Sequence, residues 1–378
     1  MMEITAEELI ARRGEFDIYD MRGELERTYG TIPGAAAQSG DALLAQPPAD
    51  KSRPLVIYCA RGVLSVEIAE ALCAQGYRAF SLRGGYAAWL RVQIQRQQDA
   101  AVCQKAEQSL RKKFRESIMN PFIKALKEYK LVNEGDRVAV CMSGGKDSML
   151  MAKLFQELKR YSEVHFDVKY LVMDPGYNAE NRAIIEANAR ALGIPITIFE
   201  TRIFESVYHV EKSPCYLCAR MRRGYLYKFA QELGCNKIAL GHHFDDVIET
   251  ILMGMLHSAQ IQTMMPKLHS TNYPGMELIR PLYYVREDAI KAWRDYNDLH
   301  FIQCACKFTD TCTTCNNGQN HSKRQETKEL IRALKQSNPD VENCIFRSVQ
   351  NVHLDAVIAY KQNGVKHSFL DEYDRSTD

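Results

Sequence analysis

Short apolar runs alternate with amphipathic helical patterns along most of the chain, and Gly or Pro residues separate them. Strand-like runs are predicted at 16–20, 54–58, 78–82, 137–141, 166–174, 194–199 and 237–240. Helical spacing of apolar residues follows most of these runs, for example at 66–75 and 178–192. Because strands that alternate with helices form parallel sheets, the pattern predicts an α/β fold with doubly wound parallel sheets.

The spacing of these elements changes along the chain and predicts its domain organisation. Residues 1–97 hold short, closely spaced elements, which predicts a small α/β domain. A Gln- and Arg-rich polar connector, helical in part, is predicted over 98–109. The larger doubly wound domain then spans 110–355, and residues 356–378 form a C-terminal tail. A length of 378 residues is typical of two or three domains.

Composition narrows the class of protein. Lys and Arg number 49 against 47 Asp and Glu, so any RNA site must be a local patch. The helical pattern at 110–129 has a basic face. This face could contact the RNA backbone, and the alternative is that it is an ordinary solvent-exposed helix face. The chain begins without the features of a signal peptide and has no membrane-length apolar run, so we expect a cytoplasmic protein that contacts no membrane. Its 12 cysteines are partly clustered, which indicates metal or sulfur chemistry.

A glycine turn follows the strand predicted at 137–141. Residues 143–148 read Ser-Gly-Gly-Lys-Asp-Ser, and a helical pattern begins directly after them. Backbone N–H groups at a glycine turn and a helix N-terminus favour an anion such as phosphate. Lys146 adds a positive charge. The spacing differs from the Walker pattern, so this is another kind of phosphate loop.

Carboxylates follow two other strands. Asp174 ends one strand, and Asp245 and Asp246 follow His242 after another. The carboxyl ends of parallel strands meet at one sheet edge, so these groups should lie beside Ser143. Carboxylates at a triphosphate site are suited to hold Mg²⁺. The alternative is that the Asp pair caps a helix.

Cysteines supply the third kind of candidate site. Cys59 lies between a strand and a helix N-terminus, where backbone amides and the nearby Arg61 should lower the thiol's pKa; the alternative is a buried structural cysteine. Cys215 and Cys218 form a Cys-x-x-Cys motif that could hold zinc, a redox dithiol or iron–sulfur. Four more cysteines follow at Cys304, Cys306, Cys312 and Cys315. The isolated Cys103, Cys141, Cys235 and Cys344 are predicted to be packing residues.

Several of these segments resemble known families. The Ser143–Ser148 segment looks like the pyrophosphate loop of the PP-loop ATPases, which have an adenine nucleotide α-hydrolase-like fold and adenylate a substrate. Residues 20–22, 59–64 and 82–89 resemble the rhodanese family, in which the loop cysteine carries a persulfide. The resemblance therefore implies a rhodanese-like domain before a PP-loop domain, with Cys59 as the sulfur carrier.

Residues 215–227, 280–283 and 346–352 closely resemble the tRNA 2-thiocytidine synthetases of the TtcA type. In that group, three cysteines hold a [4Fe–4S] cluster with one open iron, and by position they map onto Cys215, Cys218 and Cys304. The spacing after Cys304 departs from the group, so Cys306 is an alternative third ligand. The remaining cysteines of this segment are Cys306, Cys312 and Cys315. They could bind Zn²⁺, with or without His321. The alternatives are that they transfer sulfur or have no ligand role.

The resemblance implies an ATP- and Mg²⁺-dependent sulfurtransferase that adenylates C2 of an anticodon-loop cytidine in tRNA and replaces oxygen by sulfur. The expected catalytic residues are Cys59, Arg61, Lys146 and Asp245. The expected nucleotide-binding residues are Ser143, Gly144, Gly145, Lys146, Asp147, Ser148, Asp174, His242, Asp245 and Asp246. Thiosulfate, a mercaptan or a cysteine desulfurase would supply the sulfur. The sequence leaves undecided whether the protein is a monomer or a homodimer. The alternatives are thiolation of another RNA base or a small molecule, and a non-catalytic sulfur or iron–sulfur carrier.

Overall fold

The computed structural model of the chain describes residues 3–27, 31–177, 179–204, 214–302 and 323–373. The chain divides into two compact units, Met1–Ala101 and Val102–Asp378. Each unit is built around its own sheet. Among the helices in the described ranges, none combines the length and the apolar character that crossing a membrane requires.

The first unit contains a five-stranded sheet. Its strand order is β1-β5-β4-β2-β3, and every pair of neighbouring strands is parallel. Its strands are β1 (Glu3–Ile4), β2 (Asp17–Asp20), β3 (Ala35–Ala37), β4 (Leu55–Tyr58) and β5 (Ala79–Leu82). Its helices are α1 (Ala6–Ala11), α2 (Glu24–Arg27), α3 (Gly40–Ala45), α4 (Leu64–Ala74) and the start of α5 (Gly85–Arg111), with a 3₁₀ turn at Arg13–Glu15. The predicted small parallel α/β domain is confirmed.

The centre of this sheet is covered on both faces. All four residues of β4 are buried, and they alternate between two apolar clusters. Val56 and Tyr58 pack with Ile4, Leu9 and Ile18, while Leu55 and Ile57 pack with Leu72 and Ala79. A strand buried on both faces is typical of parallel sheets, and β4 is the strand that ends at Cys59.

The second unit contains a six-stranded sheet and a separate two-stranded hairpin. Its strands are β6 (Arg137–Met142), β7 (Asp167–Asp174), β8 (Ile196–Glu200), β9 (Lys237–Ala239), β10 (Lys267–His269), β11 (Glu277–Ile279), β12 (Ala359–Gln362) and β13 (Val365–Ser368). After a π-helical turn at Arg115–Met119, its helices are α6 (Asn120–Glu128), α7 (Lys146–Tyr161), α8 (Ala179–Ala191), α9 (Pro214–Glu232), α10 (Phe244–Ser258), α11 (Glu287–Tyr296), α12 (Lys323–Ser337), α13 (Val341–Ser348) and α14 (Leu370–Tyr373), with a 3₁₀ turn at Leu354–Ala356.

The strand order of the large sheet is β10-β11-β9-β6-β7-β8. Only the β10–β11 pair is antiparallel among these described strands. Along β6, Val138 and Val140 join one apolar cluster, and Ala139 and Cys141 join another. Helices therefore cover both faces, as the doubly wound prediction requires, and the carboxyl ends of β6, β7, β9 and β11 share one edge.

Two predicted segments differ in detail. Residues 98–109 lie entirely within α5, where Ala106 and Leu110 are fully buried in the core of the second unit. The single helix expected at 110–129 is interrupted, because α5 ends at Arg111 and α6 restarts with Pro121 in its first turn. The break is a turn at residues 112–114, which precedes the π-helical turn and α6.

Candidate functional site

The glycine loop connects β6 to α7. The Ser143 N–H donates to the Ser148 hydroxyl at 3.2 Å, and that hydroxyl donates to the Gly145 carbonyl oxygen at 3.0 Å. Gly144 has a φ of +84°, and a Cβ there would lie 2.5 Å from the Ile185 side chain. The turn therefore needs glycine, and it places the N-terminus of α7 at the carboxyl edge of the sheet.

A second loop, which follows β9, packs against this turn. A Cβ on Gly241 would lie 3.3 Å from the Ser148 nitrogen, so the two loops approach closely. Between them and α9 lies a cavity of about 280 Å³. Its lining includes Ser143, Asp147, Ser148, Arg222, His242 and Asp246. The structure thus brings together five of the predicted nucleotide-binding residues and one arginine from the cysteine-bearing helix.

Histidines and carboxylates at the start of α10 shape the charge of this cavity. Burial, and then the charge of Arg280, lowers the pKa of His242 to about 4, so its ring is neutral at pH 7. The His243 ring lies 3.5 Å from the Asp246 carboxylate. Burial alone would raise the pKa of Asp246, but the His243 charge and a hydrogen bond from the His243 N–H lower it. Asp246 therefore presents a carboxylate to the cavity.

The other predicted carboxylates are occupied elsewhere. Asp245 accepts a hydrogen bond from the Glu287 N–H at 2.7 Å and pairs with Arg286 at 3.2 Å, so it caps the start of α11. Asp174 accepts hydrogen bonds from the N–H groups of Gly176 and Tyr177 at 2.8 and 2.6 Å. Neither side chain is part of the cavity lining given by the described residues.

Lys146 is not among the residues that line the cavity, although its neighbour Asp147 is. Its ammonium lies 3.2 Å from Glu287 and 3.1 Å from Asp147. Burial would raise the pKa of Glu287, but a hydrogen bond from Lys291 and the charge of Lys146 lower it to about 2. Lys146 is thus held in an ion pair, and the cation that lines the cavity is Arg222.

Helix α9 links the cavity to the predicted cysteine ligands. Arg222 and Leu226 line the cavity from one face of this helix. Cys218 lies four residues before Arg222, so it belongs to the same face, about 6 Å further along the axis. The side chain of Cys215 lies outside the described residues.

The later cysteine segment is outside the described residues as well, so its assignments stay predictions. These residues are Cys304, Cys306, Cys312, Cys315 and His321. Within the described ranges, no group of three His, Cys, Asp or Glu side chains is close enough to hold a metal ion.

The second candidate site is the Cys59 loop in the first unit. The Cys59 sulfur accepts hydrogen bonds from the Gly62 N–H at 3.1 Å and the Ser65 hydroxyl at 3.6 Å. Burial would raise the pKa of the Cys59 thiol, but these hydrogen bonds and one from the Arg61 N–H lower it. The predicted direction is confirmed, and the contribution of Arg61 comes through its backbone.

Glycines make this loop tight. Gly85 has a φ of +59°, and a Cβ there would lie 2.3 Å from the Cys59 carbonyl oxygen and 2.5 Å from the Gly62 nitrogen. The Tyr86 N–H donates to the same carbonyl oxygen at 2.9 Å. The start of α5 therefore packs directly against the loop that carries the thiol.

A buried ion pair supports the strand before this loop. Asp20 and Arg22 are both almost fully buried and lie 2.6 Å apart. The Tyr58 hydroxyl donates to the same Asp20 oxygen at 2.7 Å. Because Tyr58 directly precedes Cys59, this network restrains the strand end from which the loop departs.

The isolated cysteines divide into two groups. Cys141 and Cys235 are buried, and burial raises the pKa of the Cys141 thiol to about 12, so both are packing residues as predicted. Cys103 is partly buried and lies 3.3 Å from the Lys153 ammonium. The prediction for Cys344 is wrong, because it lies on the exposed side of α13.

One residue near the site was not among the predicted ones. Arg280 follows β11, whose carboxyl end lies beside that of β9. In the sequence, residues 280–283 stand out only by their resemblance to the TtcA-type synthetases, and the position of Arg280 beside the end of β9 follows from the sheet order alone.

A glycine turn between a parallel strand and a helix, surrounded by polar strand ends, defines a phosphate-binding α/β protein of the PP-loop class. Comparison with protein families agrees with this geometry. A model described as a PP-loop domain matches residues 109–309, and one described as a rhodanese-like domain matches residues 5–91. The chain therefore belongs to the PP-loop family and carries a rhodanese-like domain before its PP-loop domain.

Curated relatives each align with more than 60% of the chain. The tRNA-cytidine(32) 2-sulfurtransferase of Citrifermentans bemidjiense is 35% identical over 240 residues, which cover 62% of this chain and 90% of the relative. The protein of the same name from Methylobacillus flagellatus is 37% identical over 246 residues, covering 64% and 77%. Among solved structures, the U34-tRNA thiolase NcsA from Methanococcus maripaludis with its [4Fe–4S] cluster is 19% identical, covers 68% of this chain and 87% of that chain, and has a TM-score of 0.49.

Proposed function

We propose that this protein is an ATP-dependent tRNA sulfurtransferase that converts an anticodon-loop cytidine to 2-thiocytidine. The observation that carries this proposal is the cavity shared by the glycine loop, Asp246 and the cysteine-bearing helix α9. The relatives named tRNA-cytidine(32) 2-sulfurtransferase support the same chemistry and the same class of RNA.

The first step is adenylation of the base. The cytosine O2 attacks the α-phosphorus of ATP, a new O–P bond forms, and the bond to the β-phosphate breaks as pyrophosphate leaves. We assign stabilisation of the departing pyrophosphate to the loop N–H groups and the α7 dipole, because Lys146 is paired with Glu287. Asp246 would hold Mg²⁺ together with phosphate oxygens, since Asp245 is committed to α11.

The second step replaces oxygen by sulfur. A sulfur nucleophile attacks C2, the C2–O bond breaks, and AMP leaves with its electron pair. The sulfur originates as a persulfide on Cys59, whose loop stabilises an anionic sulfur. Release of the outer sulfur as sulfide needs two electrons, which two molecules of a small thiol supply as they are oxidised to one disulfide.

Cys215, Cys218 and Cys304 are the residues that would hold a [4Fe–4S] cluster, with Cys306 as the alternative third ligand. Of these, Cys218 has a described side chain, and its position on the Arg222 face of α9 fits a cluster beside the cavity. When bound, such a cluster would supply an open iron position that accepts sulfide.

Two alternatives remain distinct from this proposal. The acceptor could be another RNA base, such as a uridine, or a small molecule, with the same adenylation chemistry. A non-catalytic sulfur carrier would instead show no ATP turnover, and the intact glycine loop argues against it.

The test is AMP release by the full-length protein, measured under anaerobic conditions with tRNA, with rRNA and without RNA. The proposal expects AMP release with tRNA that contains the target cytidine and background release otherwise. A matched tRNA with uridine at the target position is the control. AMP release that is equal with and without RNA would contradict the proposal.

A further inference from the structure

Two arginines near the cavity, Arg222 (half-buried) and Arg280 (buried), have no acidic partner in the described part of the chain. Arg222 lines the cavity from α9, and Arg280 follows β11 and is only 6% exposed. The Nε atoms of both are buried and have no hydrogen-bond partner within the described part of the chain. In the same part of the chain, no carboxylate pairs with either side chain. Arg280 does donate through Nη1 to the Met265 carbonyl oxygen.

The sheet order places Arg280 at the same edge of the sheet as the glycine loop. β11 is parallel to β9, and β9 is parallel to β6, so Arg280, His242 and Ser143 all follow the carboxyl ends of adjacent strands. Burial, and then the charge of Arg223, lowers the pKa of Arg280 to about 10, so the guanidinium stays charged at pH 7.

A buried guanidinium without an acid carries a desolvation cost that an anionic ligand would offset. The planar guanidinium forms paired hydrogen bonds with phosphate oxygens more readily than an ammonium does. Lys146, by comparison, already has Glu287 and Asp147 within 3.2 Å. The unmatched positive charge near the cavity therefore resides on the arginines.

We propose that Arg222 and Arg280 bind the α-phosphate of the nucleotide, the group that stays with the base when pyrophosphate leaves. This inference rests on the proposed function. The glycine loop binds the phosphates that depart, and the arginines hold the phosphorus under attack. As the base oxygen forms its bond to that phosphorus, the bond to the β-phosphate breaks and its electron pair leaves with pyrophosphate. The two arginines keep their protons and act by position and charge alone.

Binding of AMP and of inorganic pyrophosphate to the full-length protein separates the two phosphate subsites. Titration calorimetry would compare the wild type with Arg222→Gln and Arg280→Gln. Each variant should raise the Kd for AMP at least about tenfold, the loss expected for a charge-assisted hydrogen bond, and should leave the Kd for pyrophosphate within about twofold. Arg294→Gln, which removes a surface arginine paired with Asp295, is the matched control and should change neither Kd.

An unchanged Kd for AMP in Arg222→Gln would overturn the inference, and so would equal losses for AMP and pyrophosphate. If Arg280→Gln fails to fold, Arg222→Gln decides the question, and Arg280→Lys should fold with an intermediate Kd for AMP because it keeps the charge without the planar fork. If the arginines instead bind an RNA phosphate, the variants weaken tRNA binding but not AMP binding, which also overturns it.

These outcomes are separable from failure of the proposed function. A wild-type protein that releases AMP only with tRNA, while Arg222→Gln keeps full affinity for AMP, contradicts the inference alone. A wild-type protein that binds AMP through these arginines but forms no AMP from ATP when tRNA is added contradicts the proposed function alone.

Discussion

The Cys59 loop and the Ser143–Ser148 loop have the same local plan, a parallel strand that runs through a glycine turn into a helix, yet they differ in what fills them. In the first, the protein's own sulfur accepts the hydrogen bonds of the turn. In the second, the turn opens into a cavity where buried atoms of Arg222 and His242 have no partner among the described residues. The first loop stabilises an anionic sulfur that belongs to the protein, and under the proposed function the second receives phosphates that arrive and leave.

The largest effect is expected from Cys59→Ser, which removes the atom that fills the first loop. A serine cannot form a persulfide, so persulfide formation from thiosulfate should fall at least about a thousandfold. Thiolation of tRNA driven by free sulfide should be retained. Cyanolysis of sulfane sulfur and quantification of thiolated nucleosides measure the two activities, with Cys73→Ser in the same unit as the control. Loss of the sulfide-driven activity as well would contradict the relay.

Asp246 and Asp245 test the second loop. Asp246→Asn should lower AMP formation about a hundredfold, because it removes a carboxylate that faces the cavity. Asp245→Asn should lower it less than about tenfold, since that side chain caps α11. Steady-state AMP release at saturating magnesium gives both values. A larger loss of AMP formation in Asp245→Asn than in Asp246→Asn would contradict this assignment and would indicate Asp245 as the metal ligand.

Gly85→Ala tests how tightly the first loop is packed. A methyl group there would meet the Cys59 carbonyl oxygen, and the left-handed backbone disfavours alanine, so the free energy of unfolding should fall by about 2 kcal/mol or more. Gly14→Ala, where a Cβ meets no atom within 4 Å, should have a much smaller effect. Urea unfolding followed by Trp89 fluorescence in a Trp293→Phe background reports on the first unit. Equal stabilities of the two glycine variants would contradict the packing described for the loop.

The smallest effect concerns pH. Because the hydrogen bonds to Cys59 lower its pKa, the reactive thiolate persists to lower pH than in an ordinary cysteine of pKa about 8.5. The alkylation rate of Cys59 by iodoacetamide should therefore fall between pH 9 and pH 7 by less than the roughly 25-fold expected for a cysteine of pKa about 8.5. Ser65→Ala removes one hydrogen bond and should move the profile to higher pH. A midpoint at or above 8.5 for the wild type would contradict the account.

Features set by local pattern were predictable from sequence. The β6 strand, the glycine turn after it and the lowered pKa of Cys59 all depend on residues within a few positions of one another. Asp245 and Asp246 could not be told apart, because neighbouring residues at a helix start point about 100° apart and only packing decides which faces the cavity.

Features set by strand order were not predictable. Arg280 reaches the site because β11 lies beside β9, a pairing between segments about forty residues apart. The pairing of Lys146 with Glu287 likewise depends on how α11 packs near α7. A lysine in a glycine loop is expected to face phosphate. Only the tertiary structure shows that the ammonium of Lys146 forms an ion pair with the Glu287 carboxylate.

The most direct test of the account couples its two loops in one reaction. The wild-type protein would be loaded with ³⁵S as a Cys59 persulfide and given ATP, magnesium, a thiol reductant and tRNA under anaerobic conditions, and both AMP and labelled 2-thiocytidine would be counted. The account predicts one AMP for each sulfur transferred and no transfer without ATP. Label that enters tRNA in the absence of ATP, or AMP that accumulates while no sulfur reaches tRNA, would contradict it.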